Sequence, residues 1–192
     1  MAKRILALDG ALNHTGWAVL DDSGGTGFGG IKLIKRDIFK PKATIPLGSK
    51  LVYNRQEIMK LVKVFKPDVV VCEDVYVGKN AKTSAKLNHA KGVLIMTVFE
   101  ILGEEAVVVE ATTARACLGF SNTKEGPFRF FKQLYNLKED FVAGNDITDA
   151  LTLGFWFIID SRGECFEAKK KKETKPKRVK AVKKNKSKHK EC

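Results

Sequence analysis

The chain has 192 residues and a formal net charge of +13. That charge is uneven: residues 168–192 hold thirteen Lys or Arg against two Glu, a net +11, whereas residues 1–167 carry only +2. A uniformly basic protein is excluded, and so is a membrane span, because the best apolar runs, Val93–Phe99 and Ala150–Ile159, fall short of roughly 18–20 residues.

Arg4–Asp9 is a short apolar run that ends on an acid, and it starts so early that no secretory signal is expected. Gly10–Thr15 reads as a loop, Gly16–Leu20 as a second strand, Asp21–Gly25 as a turn cluster and Phe28–Phe39 as a third strand, together an antiparallel meander. Gly25–Gly30 fits G-x-G-x-x-G, but a strand-like run follows where a dinucleotide fingerprint needs a helix. In Lys50–Phe65, the spacing of Ile58, Val62 and Phe65 predicts an amphipathic helix, stopped by Lys66-Pro67-Asp68. Val69–Cys72 is continuously apolar, as in a strand buried on both faces, and runs into Glu73. Lys79–Leu102 reads as a long helix with Thr83 or Ser84 as N-cap, and Ala106–Val109 as a fifth strand. Thr112–Leu118 and Lys124–Tyr135 read as helices, and Asn145 caps a last helix through Asp160.

This order predicts an α/β domain over residues 1–167, a five-stranded mixed sheet flanked by helices. Residues 168–192 lack aromatics and are predicted to be a disordered Lys-rich tail. Cys72, Cys117, Cys165 and Cys192 are far apart without a CxxC pair, which argues against a zinc ribbon or a disulfide framework and suits a reducing cytoplasm.

Acids stand at the ends of these elements. Asp9 closes the first strand, Glu73 the fourth, and Asp146 and Asp149 open the last helix. The helical pair is i,i+3, so both carboxylates lie on one face. Asp9 alone reads equally as a turn or cap residue, and the helical pair as favourable charges at a helix N-terminus. Glu73 is less easily explained, because a lone carboxylate after a buried strand is costly without a partner. Gathered in one place, such carboxylates would repel unless a cation lay between them, and an all-oxygen set selects Mg²⁺, with Mn²⁺ as a substitute. Two such ions can activate water and stabilise the leaving oxygen of a phosphodiester.

Basic residues cluster as well. Lys32–Lys66 holds ten Lys or Arg against Asp37 and Glu57, and Tyr76–Lys91 adds Lys79, Lys82, Lys86 and Lys91 without an acid. The second cluster flanks the Glu73 loop and reads as a phosphate-binding surface, with solvated helix charge as the plain alternative. Tyr76 fits a base-stacking side chain or an aromatic lid on the core. His14 and His89 are read as packing or polar surface, because a hard-metal site does not need imidazole.

Within Phe65–Ile95, Glu73, Tyr76, Lys79-Asn80-Ala81, Ser84, Lys86-Leu87, Ala90 and Gly92 together resemble the central motif of the RuvC family of Holliday-junction resolvases. LALDGALNHTGWAV (Leu6–Val19) and NDITDALTL (Asn145–Leu153) resemble its first and last motifs, so the resemblance spans about Arg4–Ile159. Gly10, where many bacterial members have Pro, and the long tail mark a divergent or phage-type member.

The resemblance implies an RNase H-like fold, a homodimer, and two Mg²⁺ ions held by Asp9, Glu73, Asp146 and Asp149; the Thr83–Leu102 helix is a candidate for the dimer interface. It implies hydrolysis that leaves 5′-phosphate and 3′-hydroxyl ends on four-way and other branched DNA. Lys124, with Arg115 second, would be the catalytic basic residue, and Tyr76 would insert at the crossover. Tyr76, Lys79, Asn80, Lys82, Lys86 and Arg115 are the expected DNA contacts. The location implied is cytoplasmic (a host cytoplasm for a phage protein). The alternatives are another RNase H-like nuclease, acting on hybrids, flaps or branches, and a non-catalytic junction-binding protein.

Overall fold

In the computed structural model, residues 3–74, 81–121, 123, 125–136 and 145–166 are described. The expectations for Tyr76, Lys79, Asn80, Lys124, the Lys82 side chain and the tail lie outside these residues.

Strand β1 (Lys3–Gly10) lies at the centre of a five-stranded sheet ordered β3-β2-β1-β4-β5. It pairs antiparallel with β2 (Thr15–Asp22), which pairs antiparallel with β3 (Ile31–Phe39). On its other side β1 runs parallel to β4 (Val69–Glu73), which runs parallel to β5 (Val107–Val109). Ile5, Leu6, Ala7 and Leu8 are all fully buried, which is why this segment reads as continuous rather than alternating apolar sequence. Edge strand β3 is different: Lys32, Lys35 and Asp37 are exposed along it, a pattern that discourages pairing with another sheet.

Strand periodicity divides the apolar residues between two cores. Ile5, Ala7, Ala18, Leu20 and Val71 pack on one face against α3 (Ala111–Cys117), α4 (Glu125–Leu134) and α5 (Asn145–Ser161). Leu6, Leu8, Trp17, Val19, Val70 and Cys72 pack on the other against α1 (Leu47–Phe65) and α2 (Ala81–Leu102). In α2 the buried Ala90, Leu94, Thr97 and Val98 form one helical stripe. Helix α5 is buried far more extensively, through Ala150, Leu151, Leu153, Phe155, Ile158 and Ile159. It also lies close to the sheet: a Cβ added at Gly154 would stand 2.6 Å from Leu20 Cδ1. No described helix is long and apolar enough to cross a membrane.

Three local expectations need correction. Phe28–Gly30 belongs to a glycine-rich turn before β3, held by Arg162, whose guanidinium donates to Gly27 O and Gly29 O at 2.8 and 3.2 Å. Helix α1 begins at Leu47, directly after Pro46, and ends where Lys66 adopts φ 48 ahead of Pro67. Thr83 and Ser84 lie inside α2 rather than at its cap, and Ser84 is buried.

The cysteines also depart from expectation. Cys117 and Cys165 form a disulfide across 48 residues of sequence. Motif spacing is local and cannot reveal such a pair. Packing of α3 on α5 creates it, and Phe166 N–H donates to Cys117 O at 2.8 Å. Cys72 is free and buried, and burial pushes its thiol up to about 11.

Candidate active site

Parity along two strands aims the first two acids. Ile5 and Ala7 face α5, so Asp9, two residues on, projects from the same side. Val71 also faces α5, and Glu73 follows it by two. Leu8 pairs with Cys72, so the two acids leave adjacent parallel strands at matching heights. Here the sheet changes from antiparallel to parallel pairing, a position where ligands gather in open α/β sheets.

Helix α5 brings the other two acids. Asp9 pairs with Gly16 across the β1–β2 ladder, and the first turn of α5 rests on that glycine. A Cβ at Gly16 would lie 2.2 Å from the Asp146 carbonyl carbon, so only glycine admits the helix here. Asp146 is partly exposed, whereas Asp149, one turn on, is buried.

The four carboxyls act on one another. Burial, then a hydrogen bond and charge from Glu73, then the charges of Asp149 and Asp146, hold Asp9 well above the ordinary carboxylate range. Protonated, Asp9 can donate to the Glu73 carboxylate. A site this rich in negative charge favours a bound cation.

Two basic side chains complete the arrangement, and neither was given this role from sequence. His14 Nδ1 stands 2.7 Å from Asp146 Oδ2. Its loop is fastened by Ala11 N–H to His14 O, by Thr15 Oγ1 to Ala11 O, and by buried Asn54, which donates to Ala11 O and Leu12 O. His14 is exposed, in keeping with its reading as polar surface, and the contact with Asp146 adds a role that reading did not include. Its position five residues after Asp9, in the turn that returns the chain to Gly16, was the available signal. Arg115, on α3, donates from Nη2 to Asp149 Oδ1 at 2.7 Å, and both side chains are buried. Its Nε has no hydrogen-bond partner. Arg115 as a DNA contact is corrected, because a largely buried guanidinium paired with a buried carboxylate offers little surface to a phosphate.

Lys86 is exposed on α2, as a phosphate contact requires. Lys91, from the same basic run, is paired with Asp74 at the end of β4 and contributes less free charge than its sequence suggests. Among the described residues, Cys117, Asp160 and Cys165 are the one group that brings three candidate ligand atoms within 4.8 Å of one another. The four acids are spread wider, with Asp146 and Asp149 held by His14 and Arg115.

Comparison with known proteins agrees with this geometry. The family model described as crossover junction endodeoxyribonuclease RuvC matches residues 5–156. The RuvC of Dictyoglomus turgidum is 24% identical over 160 residues, covering 83% of this chain and 98% of that protein. The RuvC of Caldicellulosiruptor saccharolyticus is 23% identical over 168 residues, covering 85% and 97%. Among solved structures, Thermus thermophilus RuvC in complex with a Holliday junction substrate superposes with a TM-score of 0.70 at 17% identity, covering 86% of this chain and 98% of that one. The fold is thus RNase H-like, a mixed five-stranded sheet flanked, among the described residues, by five helices.

Proposed function

Because the chain belongs to the RuvC family of crossover junction endodeoxyribonucleases, we propose that it resolves Holliday junctions by cutting phosphodiester bonds at a site formed by Asp9, Glu73, Asp146 and Asp149. The convergence of these four acids where the sheet changes pairing carries the reading. Their donor set suits a hard divalent cation, because all the ligands are carboxylate oxygens and their mutual repulsion is what a cation relieves. Asp9, Glu73, Asp146 and Asp149 would hold two Mg²⁺ ions, or Mn²⁺ as a substitute. Bound there, such ions would supply activation of water for in-line attack and stabilisation of the leaving oxygen.

The chain's own residues shape that chemistry. Asp9 and Glu73 are held by two rigid strands. His14 fixes the orientation of Asp146, and Arg115 that of Asp149, as the outer partners of ligating carboxylates do. Lys124 offsets the negative charge that develops on the scissile phosphate. Tyr76, Lys79, Asn80, Lys82 and Lys86 meet branched DNA beside the Glu73 loop.

A homodimer suits a four-way junction, because two-fold symmetry sets identical sites against opposing strands. Helix α2 supports that arrangement: Met96 and Phe99 are exposed on it at 46% and 54%. The Lys-rich tail adds affinity for any phosphate backbone. Such a protein works where chromosomal or phage DNA is, in the cytoplasm.

Cleavage of duplex, hybrid, flap and four-way substrates in Mg²⁺ and in Mn²⁺ tests the proposal. Paired cuts in four-way DNA are expected, and no metal-dependent cutting of any substrate would overturn it. Glu73→Gln and Asp146→Asn should bind junctions and leave them intact. Near-wild-type cleavage by either variant would remove these residues from the metal site.

A further inference from the structure

The Cys117–Cys165 disulfide lies at the far end of α5 from the acids. Asp160 Oδ1 is 3.5 Å from Cys165 Sγ, and Cys117 Sγ, Cys165 Sγ and the Asp160 carboxylate lie within 4.8 Å of one another. We propose that, once the disulfide is reduced, Cys117, Cys165 and Asp160 form a binding site for a thiophilic divalent cation, Zn²⁺ foremost.

The donor types favour this ion, and so does the spacing of Asp160 from Cys165, with the two sulfurs separating once their bond is reduced. Two thiolates and one carboxylate form a mixed soft set that Mg²⁺ does not select and Zn²⁺ does. With Zn–S near 2.3 Å and Zn–O near 2.0 Å, a tetrahedral site places its sulfur and oxygen ligands about 3.5 Å apart. Asp160 and Cys165 already have that spacing. Backbone bonds hold the frame independently of the disulfide: Gly163 N–H donates to Asp160 O, Glu164 N–H to Ile159 O, and Phe166 N–H to Cys117 O. The three ligands therefore stay together after reduction. Asp160 is exposed, so water can fill the fourth position.

The chemistry balances. A dithiol reductant gives two electrons and two protons to the disulfide, leaving two thiols, and is itself oxidised to a disulfide. Each thiol then loses its proton as the cation binds, so two protons are released per ion. In both states the end of α3 stays tied to the segment after α5. In a reducing compartment the metal takes over the role that the disulfide has in an oxidising one.

The site is independent of the nuclease reading, and its test does not depend on cleavage. The full-length chain is reduced with a phosphine, stripped of metal, and titrated with Cd²⁺ while the thiolate-to-metal charge-transfer absorbance is recorded. A band saturating at one equivalent and competed away by Zn²⁺ is expected, with no band from the oxidised protein. Cys72→Ser and Cys192→Ser should keep the band, and Cys165→Ser should lose it. Asp160→Asn, at an exposed position, should fold normally and bind at least tenfold more weakly. In parallel, Zn²⁺ should raise the Tm of the reduced chain and leave that of the oxidised chain unchanged. Absence of the band, its survival in Cys165→Ser, or unchanged affinity in Asp160→Asn would overturn the site.

Discussion

Asp9 concentrates the charge conflict of the acidic cluster, since its carboxyl is held above its ordinary range by burial and by three acidic neighbours. Asp9→Asn offers Glu73 a donor at every pH and cannot ionise, so it escapes the charge conflict. In metal-free buffer this variant is expected to melt a few degrees above wild type, equivalent to about 1 kcal/mol, while junction cleavage is lost. Thermal denaturation in EDTA checks this, and a lower Tm would show that the Asp9 charge stabilises the fold. Arg115 is the opposite case. Its guanidinium compensates Asp149 in a buried pair, so Arg115→Met removes a charge-assisted hydrogen bond from a buried carboxylate. A loss of about 1.5–3 kcal/mol in denaturant unfolding is expected, partly restored by Mg²⁺. A change under 1 kcal/mol would mean that Asp149 is compensated from elsewhere.

Helix α5 contributes to the site because one glycine lets it approach. Gly16→Ala places a methyl against the backbone of Asp146 and must push back the first turn of the helix. We expect a folded protein, destabilised by about 1–3 kcal/mol, with cleavage reduced more than tenfold. Wild-type rates would show that the first turn can yield without cost. The element order was legible from sequence because the buried strands are continuous apolar runs and the helices α1 and α4 carry periodic stripes. Asp9, Glu73, Asp146 and Asp149 were legible as acids at element ends. The roles of His14 and Arg115 were not, because each depends on which loop or helix faces α5, and that is a property of packing. The disulfide escaped for the same reason: its halves are joined by the docking of α3 on α5, not by any spacing along the chain. Phe28–Gly30 misread as strand because an aromatic and two glycines suit a turn equally well.

Across the whole sequence, charge is divided between residues 1–167, at +2, and residues 168–192, at +11. Truncation after residue 167 is expected to weaken junction binding and flatten its dependence on salt without moving the cut positions. Binding isotherms between about 50 and 200 mM salt, with mapping of the cuts, check this, and displaced cuts would give the tail a share in recognition. The way the strands aim Asp9 and Glu73 also limits how the gene can vary. A one-residue insertion or deletion within β1 or β4 would turn its terminal acid toward the apolar side occupied by Leu8 and Cys72. A loop can lengthen without such a reversal. Lineages can therefore diverge to 24% identity, as this chain and its Dictyoglomus turgidum relative have, through substitutions and loop-length changes, while the reading frame of these two strands remains the least negotiable part of the inheritance.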